Sequence, residues 1–353
     1  MKIIDPITIT DSIIETNVHE IAPDEWSDAV TYPAGAFAHL VNGQDLDIYE
    51  SCQAGNLNKN PETEPDWWIF RSKTYAEYDP GKTYLTGDRV IVPSVHKEYE
   101  SIKDDNLGNT PSSSPTFWTK LGSTNPRKCF DEKVGTQTER SGSITFSLTP
   151  GMIVDGVAFF NLDAVSVDIV VTDPVDGDVY TETIDLLSTE NVYDGYTYYF
   201  APFIFIRNFV RSELPPYSTA TIHVTINAES DTATAKCGEI VFGQKDHVGG
   251  AEYGAGLEVL DFSLVKEDAY GDLEITKRSF SKRTYVDVLI MNGMMGYISE
   301  FLERNRSKPV VWVVTEDKYL AGPYLTYGIY RSNKIVAEYP DESILTLELR
   351  GLT

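Results

Sequence analysis

Residues 49–68 read YESCQAGNLNKNPETEPDWW, and residues 99–118 read YESIKDDNLGNTPSSSPTFW. Aligned without a gap, the two stretches are identical at eight of twenty positions, where chance would give about one match. The shared residues are Tyr49/Tyr99, Glu50/Glu100, Ser51/Ser101, Asn56/Asn106, Leu57/Leu107, Pro61/Pro111, Pro65/Pro115 and Trp68/Trp118. The chain therefore contains a tandem duplication of one small unit.

Each copy is predicted to be a short three-stranded β module. A Tyr-x-x-Gly turn begins at Tyr32 in one copy and at Tyr84 in the other, and Gly tolerates the backbone angles of a tight turn. The strand ending in Tyr-Glu-Ser follows, and a loop with two prolines leads to Trp68 or Trp118. Because so small a unit buries little surface, a few large aromatics must form its core. These two tyrosines and two tryptophans are the predicted core residues.

The residue before each closing tryptophan is predicted to face outward, because neighbouring residues on a strand point to opposite faces. These residues are Trp67 and Phe117. Together with Tyr49 and Tyr99 they are the candidate carbohydrate-binding residues. Exposed aromatics stack on sugars, but they also pack against neighbouring domains, and both roles stay open at this point.

Composition and charge exclude several classes of function. The chain has 353 residues, of which 41% are hydrophobic, and this supports two to four domains with real cores. The 21 tyrosines favour β structure. The net charge of −25 disfavours binding to nucleic acid or to anionic membranes. No stretch approaches the roughly 18 apolar residues of a membrane span, and residues 1–10 show no secretory signal.

Sequence patterns that mark catalysis or metal binding are missing. The three cysteines, Cys52, Cys129 and Cys237, are far apart and form no CxxC pair. There is no GxSxG, no HExxH and no phosphate-binding loop, and carboxylates are too numerous for the sequence to nominate a glycosidase pair. We therefore predict a chain that is not an enzyme, with no catalytic residue, no metal site and no cofactor. The segment DPVDGD at 173–178 is predicted to be a hairpin turn rather than a calcium loop.

The remaining sequence predicts a mainly β protein. Alternating apolar residues after position 142 predict a β-sandwich or jelly roll, within which Tyr196–Phe209 is predicted to be a core strand plus a ligand- or partner-facing loop. Helical spacing over 293–307, followed by the buried strand Val310–Val314, predicts a C-terminal β-rich α+β domain with one helix. The predicted regions are an N-terminal segment (1–23), module one (24–72), module two (73–122), a linker (123–141), the sandwich (142–244) and the C-terminal domain (245–353).

The duplicated unit resembles the chitin-binding-like carbohydrate modules of families 5 and 12. Shared features are the opening aromatic, Tyr-x-x-Gly-Asp, the Tyr-Glu-Ser strand, the proline loop and the closing Trp. The second copy carries Tyr84–Asp88 as YLTGD, whereas the first has Ala36 in place of the Asp. The positions of the family's aromatic sugar platform hold Gln53, Ala54, Lys103 and Asp104. The resemblance therefore implies the module fold but not chitin binding.

The order of parts resembles the tail-associated structural proteins of tailed bacteriophages. An Ile-Thr-Asp opening at 9–11 precedes the paired modules, and DGVAFFNL at 155–162 is similar to a strand of galactose-binding-like jelly rolls. This resemblance implies a virion component of the distal tail, baseplate or collar, made in the host cytoplasm. Implied partners are further copies of the chain, other tail or baseplate proteins, and host surface polysaccharide. The alternatives are a polysaccharide-active enzyme or its accessory carbohydrate-binding protein, and modules that serve as protein–protein spacers.

Overall fold

The computed structural model describes residues 1–188, 192–267, 270–315 and 322–353. The protein is 49% strand and 8% helical, and the described residues contain one helix of seven or more residues, which confirms the predicted mainly β class. Two short strands precede the modules, β1 (Lys2–Pro6) and β2 (Ile14–Thr16). Both belong to sheets formed much later in the chain.

Each module is a three-stranded antiparallel sheet beside a two-stranded ladder. Module one contains β3 (Thr31–Tyr32), β4 (Phe37–Asn42), β5 (Asp45–Ser51), β6 (Asn56–Leu57) and β7 (Trp68–Tyr75). Module two contains β8 (Thr83–Tyr84), β9 (Arg89–Val92), β10 (Lys97–Ser101), β11 (Asn106–Leu107) and β12 (Trp118–Ser123), with a 3₁₀ turn at Pro93–Val95. The sheet orders β4-β5-β7 and β9-β10-β12, with ladders β3-β6 and β8-β11, are equivalent in the two copies.

The sandwich follows a 3₁₀ helix at Asn125–Phe130. Its elements are β13 (Thr138–Ser141), β14 (Ser143–Leu148), β15 (Gly156–Phe160), β16 (Ser166–Asp173), β17 (Gly177–Asp185), β18 (Leu187–Ser188), α1 (Gly195–Phe200), β19 (Ile204–Phe205), β20 (Phe209–Arg211), β21 (Thr221–Asn227), β22 (Thr234–Cys237) and β23 (Glu239–His247). One five-stranded sheet has the order β17-β16-β21-β14-β2. Its inner residues, such as Phe146 and Val224, pack in one core with Phe159 and Phe242 of the facing sheet.

The C-terminal region extends that facing sheet. Its elements are β24 (Gly250–Ala251), β25 (Gly256–Asp261), β26 (Leu264–Glu267), β27 (Leu273–Thr276), β28 (Phe280–Met291), a 3₁₀ turn (Asn292–Met294), α2 (Met295–Arg304), β29 (Val310–Val313), β30 (Leu325–Val336) and β31 (Glu342–Gly351). The helix predicted over 293–307 is therefore present, and its Ile298, Phe301 and Leu302 pack against Trp312. The predicted strand at 310 is fully buried.

The N-terminal strand joins the sandwich to the C-terminal region. The large sheet has the order β20-β15-β23-β1-β29-β30-β31-β28-β24, and β25 also pairs with β28. Strand β1 is antiparallel to β23 on one side and to β29 on the other. Ile3 packs in the core beneath α2, and Ile4 packs in a second core on the opposite face. The predicted boundary at 244/245 falls inside β23, so the two regions share one sheet.

One prediction about local structure is wrong, and a second is wrong in part. Residues 123–141 do not form a loose linker, because Thr138 donates to the Asn125 carbonyl at 2.7 Å, Asn125 donates to the Glu139 carbonyl at 2.8 Å, and β13 pairs with β22. Polar contacts of this kind leave no apolar pattern in the sequence. The core strand predicted within Tyr196–Phe209 is absent, because the segment forms the short helix α1 and the two-residue strand β19 and its aromatic side chains are exposed until Phe209. The ligand- or partner-facing loop predicted in the same segment stays a prediction. A high aromatic content indicates a core only where the chain itself supplies the covering surface.

Candidate binding and assembly surfaces

The two modules have the same core, held by the same hydrogen bonds. Trp68 and Trp118 are both buried, and each indole N–H donates to a backbone carbonyl at 2.8 Å. The acceptor is Lys59 in module one and Asn109 in module two. Tyr32 packs edge-on against Trp68, and Tyr84 packs edge-on against Trp118. Each module is too small to bury many residues, so a few large aromatics form its core, as the sequence predicts.

The two aromatics beside the core tryptophans are only half exposed. Trp67 and Phe117 both pack against their module core on one side. A lysine ammonium lies over each ring, Lys59 at 5.6 Å from the Trp67 centroid and Lys103 at 4.7 Å from the Phe117 centroid. Cation–π contacts of this kind cover the ring face that a sugar would stack on. A sugar could stack on these rings only after displacing the lysines.

The two candidate tyrosines differ from one another. Tyr49 is half-buried, and its ring lies edge-on to Phe70 with 5.7 Å between centroids. Tyr99 is only 7% exposed and belongs to the module core, so its selection as an exposed aromatic is wrong. The cross-strand neighbour explains the difference: Tyr99 is paired with Val90, whereas Tyr49 is paired with the smaller Ala38.

Charged groups fix module one to the sandwich. The Glu50 carboxylate accepts from Arg71 at 2.7 Å and lies 3.4 Å from Arg140 at the end of β13. Arg71 also donates to the backbone carbonyls of Ser141 at 3.2 Å and Asp231 at 3.1 Å. Both arginine side chains are largely buried, where such bonds are stronger than at a surface. Module one is therefore held in a defined orientation.

Module two is fixed by a second polar cluster. The Glu20 carboxylate lies 2.9 Å from His96 Nδ1 and accepts from the Thr124 hydroxyl at 2.6 Å. Asp11 contacts His96 from the other side at 3.0 Å and also pairs with Arg127. These contacts join the module to both the N-terminal segment and the 123–141 segment. Module two is therefore also held in a defined orientation.

A segment of the sandwich exposes large apolar side chains. We call residues 192–205 the aromatic loop, which includes α1 and β19. Asp194 caps α1, because its side chain accepts from the Thr197 N–H while the Thr197 hydroxyl accepts from the Asp194 N–H. The exposed large apolar residues are Val192, Tyr193, Tyr196, Tyr198, Tyr199, Phe200, Phe203, Ile204 and Phe205. So dense an exposed apolar set makes the aromatic loop a candidate interaction surface.

A second exposed apolar surface lies on the C-terminal region. Strands β26 and β27 pair only with each other in the part of the chain that the structure describes, and we call this hairpin the β arm. Every residue of both strands is exposed, and Leu273 and Ile275 are more than half exposed. An isolated hairpin is marginally stable in water. The β arm is therefore a second candidate interaction surface.

The Asp173 carboxylate has a structural role. Asp173 accepts from the backbone N–H groups of Val175 and Asp176 and from the Thr219 hydroxyl, and these bonds lower its pKa. The DPVDGD segment is thus a hairpin turn, as predicted. Across residues 1–188, 192–267, 270–315 and 322–353, no group of three or more His, Cys, Asp or Glu is placed to hold a metal ion. Within the same ranges no helix is long and apolar enough to cross a membrane.

One carboxyl group has a strongly altered acidity. Glu239 is 3% exposed, and burial, together with the nearby Asp131 and Glu132, raises its pKa to about 9. It lines a cavity of about 200 Å³ with Glu132 and Tyr327. That volume is below the roughly 300–1,000 Å³ of typical ligand pockets. The cavity is therefore smaller than a typical ligand pocket.

Comparison of the chain with protein-family models, curated proteins and solved structures finds no match. The sequence reasoning missed the β arm and a cluster of bases beside it. The signal for the bases is visible in the sequence, because residues 277–283 read KRSFSKR in a chain where acids outnumber bases by 54 to 29.

Proposed function

We propose that this chain is a structural component of a bacteriophage virion tail, at the distal tail, baseplate or collar, where it assembles with copies of itself and with other tail proteins. The aromatic loop is the observation that carries the proposal. Phe203 is 81% exposed and Tyr193 is 80% exposed, and burying one such side chain contributes about 1.5–3 kcal/mol. Covering these side chains with another protein subunit therefore lowers the free energy of the assembly.

The charge of the chain supports an apolar assembly surface. Copies with a net charge of −25 repel one another, so their association needs contacts that outweigh this repulsion. The aromatic loop and the β arm supply exposed apolar area on the sandwich and on the C-terminal region. Obligate interfaces are more apolar than transient ones, and both surfaces suit that class.

In this proposal the modules are primarily structural units that are fixed to the rest of the chain. The ion pairs of Glu50 and the contacts of Glu20 hold both modules against the rest of the chain. Trp67 and Phe117 carry lysines on their rings. Contact with host surface glycans is then a secondary role, available to these two rings once the lysines move.

The test compares the assembly of two sets of variants. Tyr196→Ser/Tyr199→Ser/Phe203→Ser removes three rings from the aromatic loop, and Val175→Ser/Tyr253→Ser removes two exposed apolar side chains elsewhere. Sedimentation velocity should show an oligomer for the wild type and the control but a smaller species for the loop variant. Electron microscopy of the parent particle with this chain labelled should place it on the tail. A wild type that stays monomeric, with no label on the tail, would contradict the proposal.

A glycan array tests the secondary role. The Trp67→Ala and Phe117→Ala variants should lose any glycan signal that the wild type gives, because both rings would otherwise supply the stacking surface. An unchanged signal would remove these two residues from the glycan site. It would leave the assembly proposal intact, since that rests on the aromatic loop.

A further inference from the structure

A cavity of about 430 Å³ opens where the sandwich meets the C-terminal region. We call it the basic cavity. Its walls include Phe160 and Asn161 at the end of β15, Asn208 before β20, Phe280 at the start of β28 and Tyr327 on β30. The volume lies within the roughly 300–1,000 Å³ range of small-molecule sites. Both regions contribute to it, as is common for ligand sites.

The charge of the basic cavity is opposite to that of the whole chain. Arg207, Lys277, Arg278 and Lys282 line it together with Thr353, and none of the aspartates or glutamates in the described part of the chain does. None of the four bases forms an ion pair with a described residue, although Lys277 lies within electrostatic range of Asp261. The chain has 54 acids and 29 bases, so a group of four bases without an ion-pair partner differs from the rest of its surface. They create a local site that attracts anions.

One of the bases is partly withdrawn from water. The Lys282 ammonium donates to the Gly322 carbonyl at 3.4 Å, and burial lowers its pKa. A desolvated ammonium gains stability from an anion beside it. The other three bases are exposed at the mouth of the cavity, where long side chains can reorient around a ligand.

The polar groups of the wall leave hydrogen-bonding capacity for hydroxyl groups. Asn208 Oδ1 accepts from the Asn161 N–H, and Asn161 Nδ2 donates to the Val134 carbonyl, both at 2.8 Å. Asn161 Oδ1 and Asn208 Nδ2 then have no partner among the described residues. Phe280, which is 57% exposed, adds an apolar face at the rim. One acceptor, one donor and an aromatic face match the surface of a sugar ring.

We propose that the basic cavity binds a small anionic sugar, either a sugar acid or a sugar phosphate. Its carboxylate or phosphate contacts the four bases, and its hydroxyl groups bond to Asn161 and Asn208. The site is independent of the virion role. No residue of the two modules lines the cavity.

Isothermal titration calorimetry of the full chain tests the site. The probes are glucuronic acid and glucose 6-phosphate, with glucose and inorganic phosphate as controls. The variant Lys277→Gln/Arg278→Gln removes two bases from the mouth. The variant Arg331→Gln/Lys334→Gln makes the same charge change at exposed residues of β30 that do not line the cavity. Melting curves check that both variants remain folded.

We expect the wild type and the Arg331/Lys334 variant to bind both anionic sugars alike. The Lys277/Arg278 variant should bind them about tenfold or more weakly, because charge-assisted hydrogen bonds are lost. Binding should weaken with added salt. No binding by the wild type, or equal loss in both variants, would overturn the site. If glucose binds as tightly as glucuronic acid and glucose 6-phosphate, the role of charge is overturned. If inorganic phosphate binds as tightly as these two ligands, the role of the sugar ring is overturned.

Discussion

Glu239 shows how a single residue can make the stability of this chain depend on pH. Its carboxyl group is buried between the sandwich and the C-terminal region, with Asp131 and Glu132 nearby, and its pKa is raised to about 9. An unfolded glutamate has a pKa near 4.5. Between these values the folded state holds a proton that the unfolded state has lost. The free energy of unfolding therefore falls as the pH rises through this window.

The variant Glu239→Gln should remove this pH dependence, because an amide has no proton to lose near neutral pH. Urea unfolding at pH 5, 7 and 9 should show the variant gaining stability relative to the wild type as the pH rises. The slope of the difference should reach up to about 1.4 kcal/mol per pH unit. Glu229→Gln, at an exposed position, is the control. Parallel curves for wild type and Glu239→Gln would show that Glu239 does not hold the proton.

Residue-level predictions from the sequence succeed where the repeat supplies the pattern. Trp68 and Trp118 are core residues in both copies. Trp67 and Phe117 lie nearer the surface as predicted, but they stand in the turns just before β7 and β12 and not on a strand. Tyr99 shows the limit of this reasoning. Its burial depends on Val90 across the strand, and a side-chain contact between strands is not contained in either strand alone.

The strand that organises the large sheet is β1. All five of its residues pair with β23 on one side, and three of them, Lys2 to Ile4, pair with β29 on the other. Their partners therefore lie more than 230 residues away in the sequence. The strand Lys2–Pro6 is too short to show a period, and such distant pairing leaves no local signal. The sequence therefore predicts the sandwich and the terminal helix but not the strand that joins them.

The packing of β1 depends on a glycine in β23. A Cβ atom at Gly243 would lie 2.1 Å from the backbone carbonyl oxygen of Asp5, so Gly243→Ala would force the two strands apart. We expect a loss of about 3 kcal/mol in the free energy of unfolding. Gly250→Ala is the matched control, since nothing lies within 4 Å of its Cβ position. Urea unfolding of both variants measures the difference, and equal stabilities would show that β1 packs otherwise than described.

At the scale of the whole molecule, the modules and the rest of the chain have separate cores. The clusters around Trp68 and Trp118 contain only module residues, and the three larger clusters contain no residue of 24–122. The duplication predicts this separation, because a repeated unit must be able to form its own core. The polar contacts that fix the modules, by contrast, involve isolated charged residues that look like ordinary surface in so acidic a sequence.

This separation predicts that assembly survives removal of both modules. Glu20, just before the modules, contacts Thr124, just after them, at 2.6 Å, so a short Gly-Ser linker of about six residues can replace 24–122. The shortened chain should stay folded and form the same oligomer as the full chain, because the aromatic loop and the β arm remain. Sedimentation velocity at equal concentrations compares the two, with the Tyr196/Tyr199/Phe203 variant as the dissociated reference. If the shortened chain is folded but monomeric, the surface that forms the oligomer lies on the modules.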